Sequence, residues 1–195
     1  MEALFIVSIA LLAYTYLGYG LIAKFMTFFV KKVDLPQLRD EDLPEITHII
    51  AAYNEEDILE EKINNSTSLN YPADKVKTIF ATDGSTDRSS EMVKSDNRII
   101  NYHSDKRDGK LAAVNRVIKD VESGIIVFSD ANAMLNSDAL RNIAHHFQNN
   151  LVGAVAGEKM VRSAEADDAT SSGEGLYWKY ESWLKKVDSK TRHAD

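Results

Sequence analysis

The chain has 195 residues, of which 44% are hydrophobic and 27% are charged, and its net charge is −7. This balance suits one folded domain with an additional segment and excludes a largely disordered chain. The acidic charge argues against general nucleic-acid binding, which needs a basic surface, and the lack of cysteine excludes disulfides and thiolate metal sites.

The N-terminal segment has the composition of a membrane anchor. No charged residue occurs from Ala3 to Ala23, and about 20 apolar residues in a helix span the roughly 30 Å hydrocarbon core of a bilayer. A cleaved signal peptide is the alternative, but the run is too long for one and does not begin with positive charge. We predict a single transmembrane helix in an anchor at residues 1–32, followed by a linker at residues 33–44.

A basic pair, Lys31 and Lys32, closes the anchor on its C-terminal side. Because positive charge favours the cytoplasmic side of a membrane, we expect residues 45–195 to form a cytoplasmic domain of a cell-membrane protein.

Residues 45–195 alternate between short apolar runs and helical patterns. The predicted strands cover Ile46–Ala52, Val76–Ala81, Arg98–Tyr102, Ile125–Phe128 and Leu151–Ala156. The predicted helices cover Glu56–Ser68, Asp87–Lys94, Leu111–Val121, Ser137–Phe147 and Gly173–Val187. We expect Asn54 to cap the first of these helices and Ser137 the fourth. Strands alternating with helices predict the α/β class, with a mostly parallel sheet flanked by helices.

A short polar segment follows each of the first four predicted strands. These segments are Ala51–Glu56, Asp83–Asp87, Asp105–Lys110 and Ser129–Ala133. Ligands of parallel α/β sheets bind at the carboxyl ends of the strands, so we expect the four segments to meet at one edge. Each segment taken singly also fits a turn, a helix cap or a solvated surface. Four of them in this order favour a ligand site.

Together the segments resemble family-two glycosyltransferases, which have the Rossmann-like GT-A fold. The resemblance rests on Ala-Ala-Tyr-Asn-Glu at 51–55, Asp-Gly-Ser-Thr-Asp at 83–87, Gly-Lys-x-x-Ala-x-Asn at 109–115 and Asp-x-Asn at 130–132. It covers about residues 44–187, and the N-terminal helix fits the polysaccharide-synthase-like members. It implies an inverting hexosyltransferase that moves a sugar from a nucleotide diphosphate to a glycan or lipid-linked acceptor, usually with Mg²⁺ or Mn²⁺.

The resemblance also implies which residues bind the nucleoside of the donor. Ala51 and Tyr53 would line the nucleobase pocket, and Glu55 would meet the nucleoside at a ribose hydroxyl. Asp83 would accept an N–H of the base, which favours uracil and therefore a UDP-sugar.

The resemblance also implies that the other two segments bind the diphosphate and the metal ion. Lys110 would place a positive charge near the diphosphate at the start of a helix. Asp130 and Asn132 would hold the divalent ion, which needs few protein oxygens. Asn132 stands where the family commonly has an Asp, and its amide oxygen ligates without adding charge.

Inverting transfer also needs a general base for the acceptor hydroxyl. In family-two enzymes this base is an Asp or Glu well beyond the metal motif. The acidic residues found there match no such context; they are Glu158, Glu165, Asp167, Asp168 and Glu174. We therefore expect a donor-binding half, truncated at its C-terminus, that transfers poorly by itself.

Two other readings belong to different classes of protein. A non-catalytic, membrane-anchored nucleotide-sugar-binding module, or an inactive truncated product, fits the same donor motifs without a base. A dinucleotide-binding or P-loop protein is disfavoured, because neither Gly-x-Gly-x-x-Gly nor Gly-x-x-x-x-Gly-Lys-Ser/Thr follows any predicted strand.

Overall fold

A computed structural model describes residues 2–29, 36–122, 124–158 and 179–187. The chain divides into two compact units, Met1–Asp34 with Ala156–Asp195, and Leu35–Val155. The helices described, in chain order, are α1 (Glu2–Ala13), α2 (Tyr19–Met26), α3 (Glu56–Thr67), α4 (Ser89–Ser95), α5 (Lys110–Ile118) and α6 (Ala139–His146). Residues 179–187 are also helical.

The larger unit is built on a parallel sheet, which confirms the predicted α/β class. Its strands are β1 (Ile46–Ala52), β2 (Val76–Asp83), β3 (Ile100–Ser104) and β4 (Ile125–Asp130). They lie in the order β3-β2-β1-β4, and every pairing is parallel. The central strands β1 and β2 are almost wholly buried, as expected where helices cover both faces of a sheet.

Alternate residues of β1 pack into different cores. Ile50 packs with residues of α3 and α4 on one face, and Ile46 packs beside α6 on that same face. Ile49 packs on the opposite face against Val117 of α5. Since side chains of a strand alternate between faces, α3, α4 and α6 cover one side of the sheet and α5 the other.

The strand register brings the predicted site residues to one edge. Ala51 of β1 is level with Ala81 of β2 and with Asp130 of β4. Asp83 lies two residues after Ala81 in β2 and is level with Ser104 of β3. Ala51, Ala81, Asp83 and Asp130 therefore all point to the face covered by α5.

The predicted strand Leu151–Ala156 is wrong. Leu151 lies in a turn and is 80% exposed, and residues 152–158 have no strand structure. A strand exists only where a neighbouring strand completes its hydrogen-bond ladder. Within the described part of the chain, β4 pairs with β1 alone and nothing pairs with residues 151–156.

The predicted N-caps are also wrong, although the helices exist. Glu55 and Asp138 occupy the positions before α3 and α6, and neither makes a side-chain cap hydrogen bond. Asn54 instead adopts a left-handed conformation with φ of 53° and binds a neighbouring loop. The predicted helix Gly173–Val187 is seen at 179–187, and its earlier residues lie outside the described ranges.

The smaller unit contains the apolar N-terminal segment. A π-helical turn, Tyr14–Gly18, separates α1 from α2. Within the described residues, no single helix is long and apolar enough to cross a membrane, whereas Glu2–Tyr16 and Tyr19–Met26, bent by 43°, meet those requirements as a pair. The predicted single transmembrane helix therefore stays a prediction.

The helical residues 179–187 contact this N-terminal segment. The Trp183 ring lies so close to Gly20 that a Cβ there would come within 2.6 Å of it. Tyr180 donates a hydrogen bond from Oη to the carbonyl oxygen of Tyr16. A larger residue at position 20 would therefore require the Trp183 ring to move.

Candidate functional site

A cavity of about 300 Å³ opens at the carboxyl edge of the sheet, on the side of α5. All seven residues predicted for the donor site line it: Ala51, Tyr53, Glu55, Asp83, Lys110, Asp130 and Asn132. The structure therefore brings together side chains separated by up to about 80 positions in the sequence. Their individual roles remain predictions.

Asp83 is buried at the base of this cavity and is already engaged by three donors. Its Oδ2 accepts hydrogen bonds from the amides of Asp108 (3.0 Å) and Gly109 (2.6 Å), and its Oδ1 accepts one from Arg116 (2.9 Å). Burial raises the pKa of Asp83, but these hydrogen bonds outweigh it and hold the pKa below its ordinary value. An ionised carboxylate accepts about four hydrogen bonds, so one position is left for a ligand.

Two glycines let the loops approach Asp83. Gly84 has φ of 63°, and a Cβ there would lie 2.6 Å from the backbone nitrogen of Arg107. Gly109 has φ of 93° and immediately precedes α5. Both conformations are costly for residues with a side chain. The start of α5 is thereby placed at the cavity, where its free amides favour an anion.

Arg107 covers Tyr53 at the mouth of the cavity. Its guanidinium carbon lies 3.7 Å from the centre of the tyrosine ring, and Nη1 donates a 2.9 Å hydrogen bond to the tyrosine Oη. This arrangement is a cation–π contact. Arg107 and Tyr53 therefore form one flat, polar surface at the mouth of the cavity.

Lys110 and Asp130 form an ion pair across the cavity, between Nζ and Oδ1. Both side chains are more than half exposed, so screening by water limits the strength of the pair. The residues predicted to meet the diphosphate and the metal thus neutralise one another in this structure.

The oxygens available for a divalent ion are few. Among the described residues, no cluster of three or more His, Cys, Asp or Glu side chains is arranged to hold one. One carboxylate and one amide, from Asp130 and Asn132, line the cavity. This hard, oxygen-only set fits Mg²⁺ or Mn²⁺ when diphosphate oxygens and water complete the coordination shell.

The segments after β1 and β2 are tied together by hydrogen bonds. Asn54 accepts at Oδ1 from the amide of Thr86 (2.9 Å), and its Nδ2 donates to the Thr86 hydroxyl (3.2 Å). Asp87 accepts from the amide of Glu56, while Glu56 accepts from the amide of Arg88. The motif residues Asn54, Thr86 and Asp87 therefore support the cavity rather than line it.

Arg107 and Arg116 are site residues that the sequence analysis passed over. Arg107 lies in one of the four polar segments that predicted the site, so it could have been included in the prediction. Arg116 lies inside a helix, 33 residues after the carboxylate that it binds. Only the general rule that a buried charge needs a partner points to such a residue.

Of the five acidic residues considered as a general base, the structure describes Glu158. It forms a 2.7 Å ion pair with Lys186, and the hydrogen bond from Lys186 holds the pKa of Glu158 below its ordinary value. A lowered pKa weakens a base. The other four lie outside the described residues.

Comparison with known proteins gives related sequences and structures. The chain is 27% identical over 154 residues to a poly-beta-1,6-N-acetyl-D-glucosamine synthase of Staphylococcus aureus, which covers 74% of this chain and 37% of that protein. It is 30% identical over 129 residues to a beta-monoglucosyldiacylglycerol synthase of Nostoc sp., covering 63% and 28%. The chain therefore spans little more than a third of the synthase's length.

Two solved structures share the fold. A mannosyltransferase from Pyrobaculum calidifontis, in complex with GDP-Man and Mn²⁺, matches with a TM-score of 0.65 and 26% identity over 82% of this chain and 48% of that one. TarS of S. aureus, in complex with UDP-GlcNAc, matches with a TM-score of 0.50 and 20% identity over 61% and 37%; this likeness shows the fold alone. Residues 47–192 match the family model described as "Glycosyl transferase family 2", and the chain belongs to this family of transferases.

Proposed function

We propose that this chain binds a nucleoside diphosphate sugar, with UDP as the preferred nucleotide, and is the donor-binding part of an inverting glycosyltransferase. One observation carries the proposal: the seven residues chosen from sequence motifs all line a single cavity at the carboxyl edge of the sheet. Ligands of parallel α/β folds bind at this edge.

The nucleobase is held between the loops after β1, β2 and β3. Tyr53 and Arg107 supply a stacking surface at the mouth, and Ala51 leaves room beside it. The remaining acceptor position of Asp83 takes the N–H of uracil. Glu55 meets the ribose.

The diphosphate lies at the N-terminus of α5, next to Lys110. Helix amides and the ammonium both favour an anion there. When the anion binds, Lys110 exchanges its contact with Asp130 for one with phosphate, which frees the carboxylate of Asp130 together with the amide oxygen of Asn132 for Mg²⁺ or Mn²⁺. The ion would stabilise the charge on the departing nucleoside diphosphate.

The complete protein transfers the sugar to a glycan or lipid-linked acceptor with inversion. The similarity of this chain to a poly-beta-1,6-N-acetyl-D-glucosamine synthase and to a beta-monoglucosyldiacylglycerol synthase supports this acceptor class. We also propose that the N-terminal helices attach the chain to the cell membrane with its larger unit in the cytoplasm. Large apolar side chains of α1 and α2 are exposed, including Leu4 at 73% and Leu21 at 65%.

Calorimetric titration tests the donor assignment. We expect UDP to bind more tightly with Mn²⁺ than in EDTA, and at least about tenfold more tightly than GDP or CDP. Asp83→Ala should weaken UDP binding under both conditions, because it removes the base acceptor and releases the α5 loop. Asp130→Ala should remove the effect of Mn²⁺ alone.

Asp74→Ala is the matched control, since Asp74 is an exposed acid that does not line the cavity. UDP affinity should be unchanged in this variant. Equal affinity in wild type, Asp83→Ala and Asp130→Ala would refute the donor site. A non-catalytic nucleotide-sugar-binding module is the second candidate, because the motif residues that line the cavity would serve binding alone equally well. A binding module would bind UDP in the same way, but the complete protein would release no sugar from a UDP-sugar when it is supplied with acceptor.

A further inference from the structure

A lysine is buried on the face of the sheet opposite the cavity. Lys62 of α3 has no exposed surface, and its ammonium donates hydrogen bonds to Ser129 Oγ (3.0 Å) and to the carbonyl oxygen of Ala133 (2.5 Å). These two acceptors stand on either side of Asp130 and Asn132 in the sequence. Lys62 thus binds both ends of the segment 129–133, which includes the two residues proposed to hold the divalent ion.

Lys62 does not line the cavity. Ser129 and Asp130 are adjacent in β4, so their side chains point to opposite faces of the sheet. Ser129 faces α3 and shares a 2.8 Å hydrogen bond with the buried His48. Lys62 therefore holds this segment from the face opposite Asp130, through the Ser129 hydroxyl and the Ala133 carbonyl oxygen.

The burial of this ammonium is expensive. Removing a charge from water costs several kcal/mol, and an apolar side chain of similar length would commonly serve stability equally well. Burial lowers the pKa of Lys62 to about 8, against the opposing effect of Asp130. A role beyond packing accounts for a charged residue here.

A second residue of α3, which is uncharged, binds the chain just after the segment 129–133. Asn65 donates from Nδ2 to the Leu135 carbonyl oxygen (2.8 Å) and accepts from the Leu135 amide (2.9 Å). It lies three positions after Lys62, on the same side of the helix. Asn65 fastens the chain beyond the segment 129–133 and provides a control for simple loss of attachment.

We propose that Lys62 is a positioning residue for the divalent ion: by holding Ser129 and Ala133 from behind the sheet, it keeps the oxygens of Asp130 and Asn132 at the cavity before the ion and diphosphate arrive. This inference rests on the proposed donor site and extends it to a residue outside the cavity.

Lys62→Met tests it, because methionine fills nearly the same space without the ammonium. In calorimetry with UDP, we expect the tightening produced by Mn²⁺ to fall at least about tenfold, with UDP affinity in EDTA unchanged. Asn65→Leu should leave both affinities within about twofold of wild type. If Lys62 acted only as a repelling positive charge, Lys62→Met would bind UDP with Mn²⁺ more tightly, and this outcome overturns the proposal.

Hydrogen–deuterium exchange provides a readout that needs no ligand. Amides of the peptide covering residues 129–135 should exchange at least about tenfold faster in Lys62→Met, whereas those of β2 should not change. Unchanged exchange at 129–135, or faster exchange throughout the chain, overturns the positioning role. Wild-type protein that binds UDP without any effect of Mn²⁺ would instead defeat the proposed ion site, and exchange would still decide whether Lys62 holds the segment.

Discussion

Asp83 and Asp87 stand four residues apart and contact different parts of the molecule. Asp83 accepts from the amides that begin α5 and from Arg116. Asp87 accepts from the amides of Glu56 and Ser89. Burial raises the pKa of each, but hydrogen bonds to the ionised form outweigh it, and the pKa lies below the ordinary value in both cases. Both carboxylates are consequently ionised at neutral pH.

The lowered pKa of Asp83 predicts a pH-dependent contribution to stability. Because the folded state binds this proton less readily than the unfolded state, the contribution is complete above the unfolded value of about 4 and is lost as the pH falls below it. Asp83→Asn should lower the free energy of unfolding by roughly 1–3 kcal/mol at pH 7. Urea denaturation at pH 7 and pH 3 should show this difference shrinking at pH 3.

Asp74→Asn serves as the control for that measurement, since exposed residues without specific partners change stability by less than about 0.5 kcal/mol. Its effect should be small at both pH values. A deficit in Asp83→Asn that is constant or larger at pH 3 would contradict the assigned linkage.

Among the elements, α3 connects the two sides of the site. Its N-terminal amides are met by side chains of the segment after β2: the Glu56 amide by Asp87 and the Glu55 amide by Ser89. Farther along, Lys62 and Asn65 hold the segment after β4. Helix α3 therefore positions the loops after two different strands, although none of its own residues lines the cavity.

Asn54 tests the connection between the loops after β1 and β2. Asn54→Ala loses the hydrogen bonds to Thr86 and leaves, at φ of 53°, a residue that has a Cβ but no polar side chain to compensate for it. This conformation costs about 1–2 kcal/mol for such a residue. Asn54→Gly loses the same bonds but tolerates the backbone conformation. Urea denaturation should rank stability as wild type, then Asn54→Gly, then Asn54→Ala, with about 1 kcal/mol between the two variants. Equal stability of the two would show that the conformation carries no strain.

At the scale of the whole molecule, apolar surface remains uncovered in each unit. In the larger unit, β4 is an edge strand among the residues that the structure describes, and its Phe128 is 55% exposed on the side of α5. In the smaller unit, most large side chains of α1 and α2 are exposed. Contiguous apolar surface of this kind is typical of contacts with a membrane or another protein segment.

The proposed attachment of the N-terminal helices to a membrane gives a prediction for this chain. We expect the protein to stay with the membrane fraction after alkaline carbonate extraction. The double substitution Ile9→Arg and Leu12→Arg should release most of it, because each central arginine costs about 2.5–3.5 kcal/mol in a membrane helix. A double substitution of exposed polar residues in the larger unit, Glu60→Arg and Lys94→Glu, should not. Wild-type protein found in the carbonate supernatant would contradict the anchor.

Most of the fold was predictable because its signals are local. Apolar runs marked β1, β2 and β4, and helical spacing marked α3, α5 and α6 within a few residues. The wrong predictions concern residues whose conformation depends on partners that are distant in the sequence. Leu151–Ala156 has an apolar, strand-like pattern but pairs with no strand among the described residues. Asn54 has the composition of an N-cap, yet Thr86 from another loop binds its side chain.

By itself, the sequence determined the order along the chain of the four strands and of α3 to α6, the family motifs and seven of the residues that line the cavity. These features could be predicted because each depends on residues that are consecutive in the sequence, an apolar strand and the polar segment directly after it. Only the tertiary structure decided that Asp83 is held by Arg116, that Arg107 covers Tyr53 and that Lys62 holds the Asp130 segment from behind the sheet. Those contacts join residues 33, 54 and 71 positions apart, and no local pattern records which distant groups the packed sheet brings within hydrogen-bond distance.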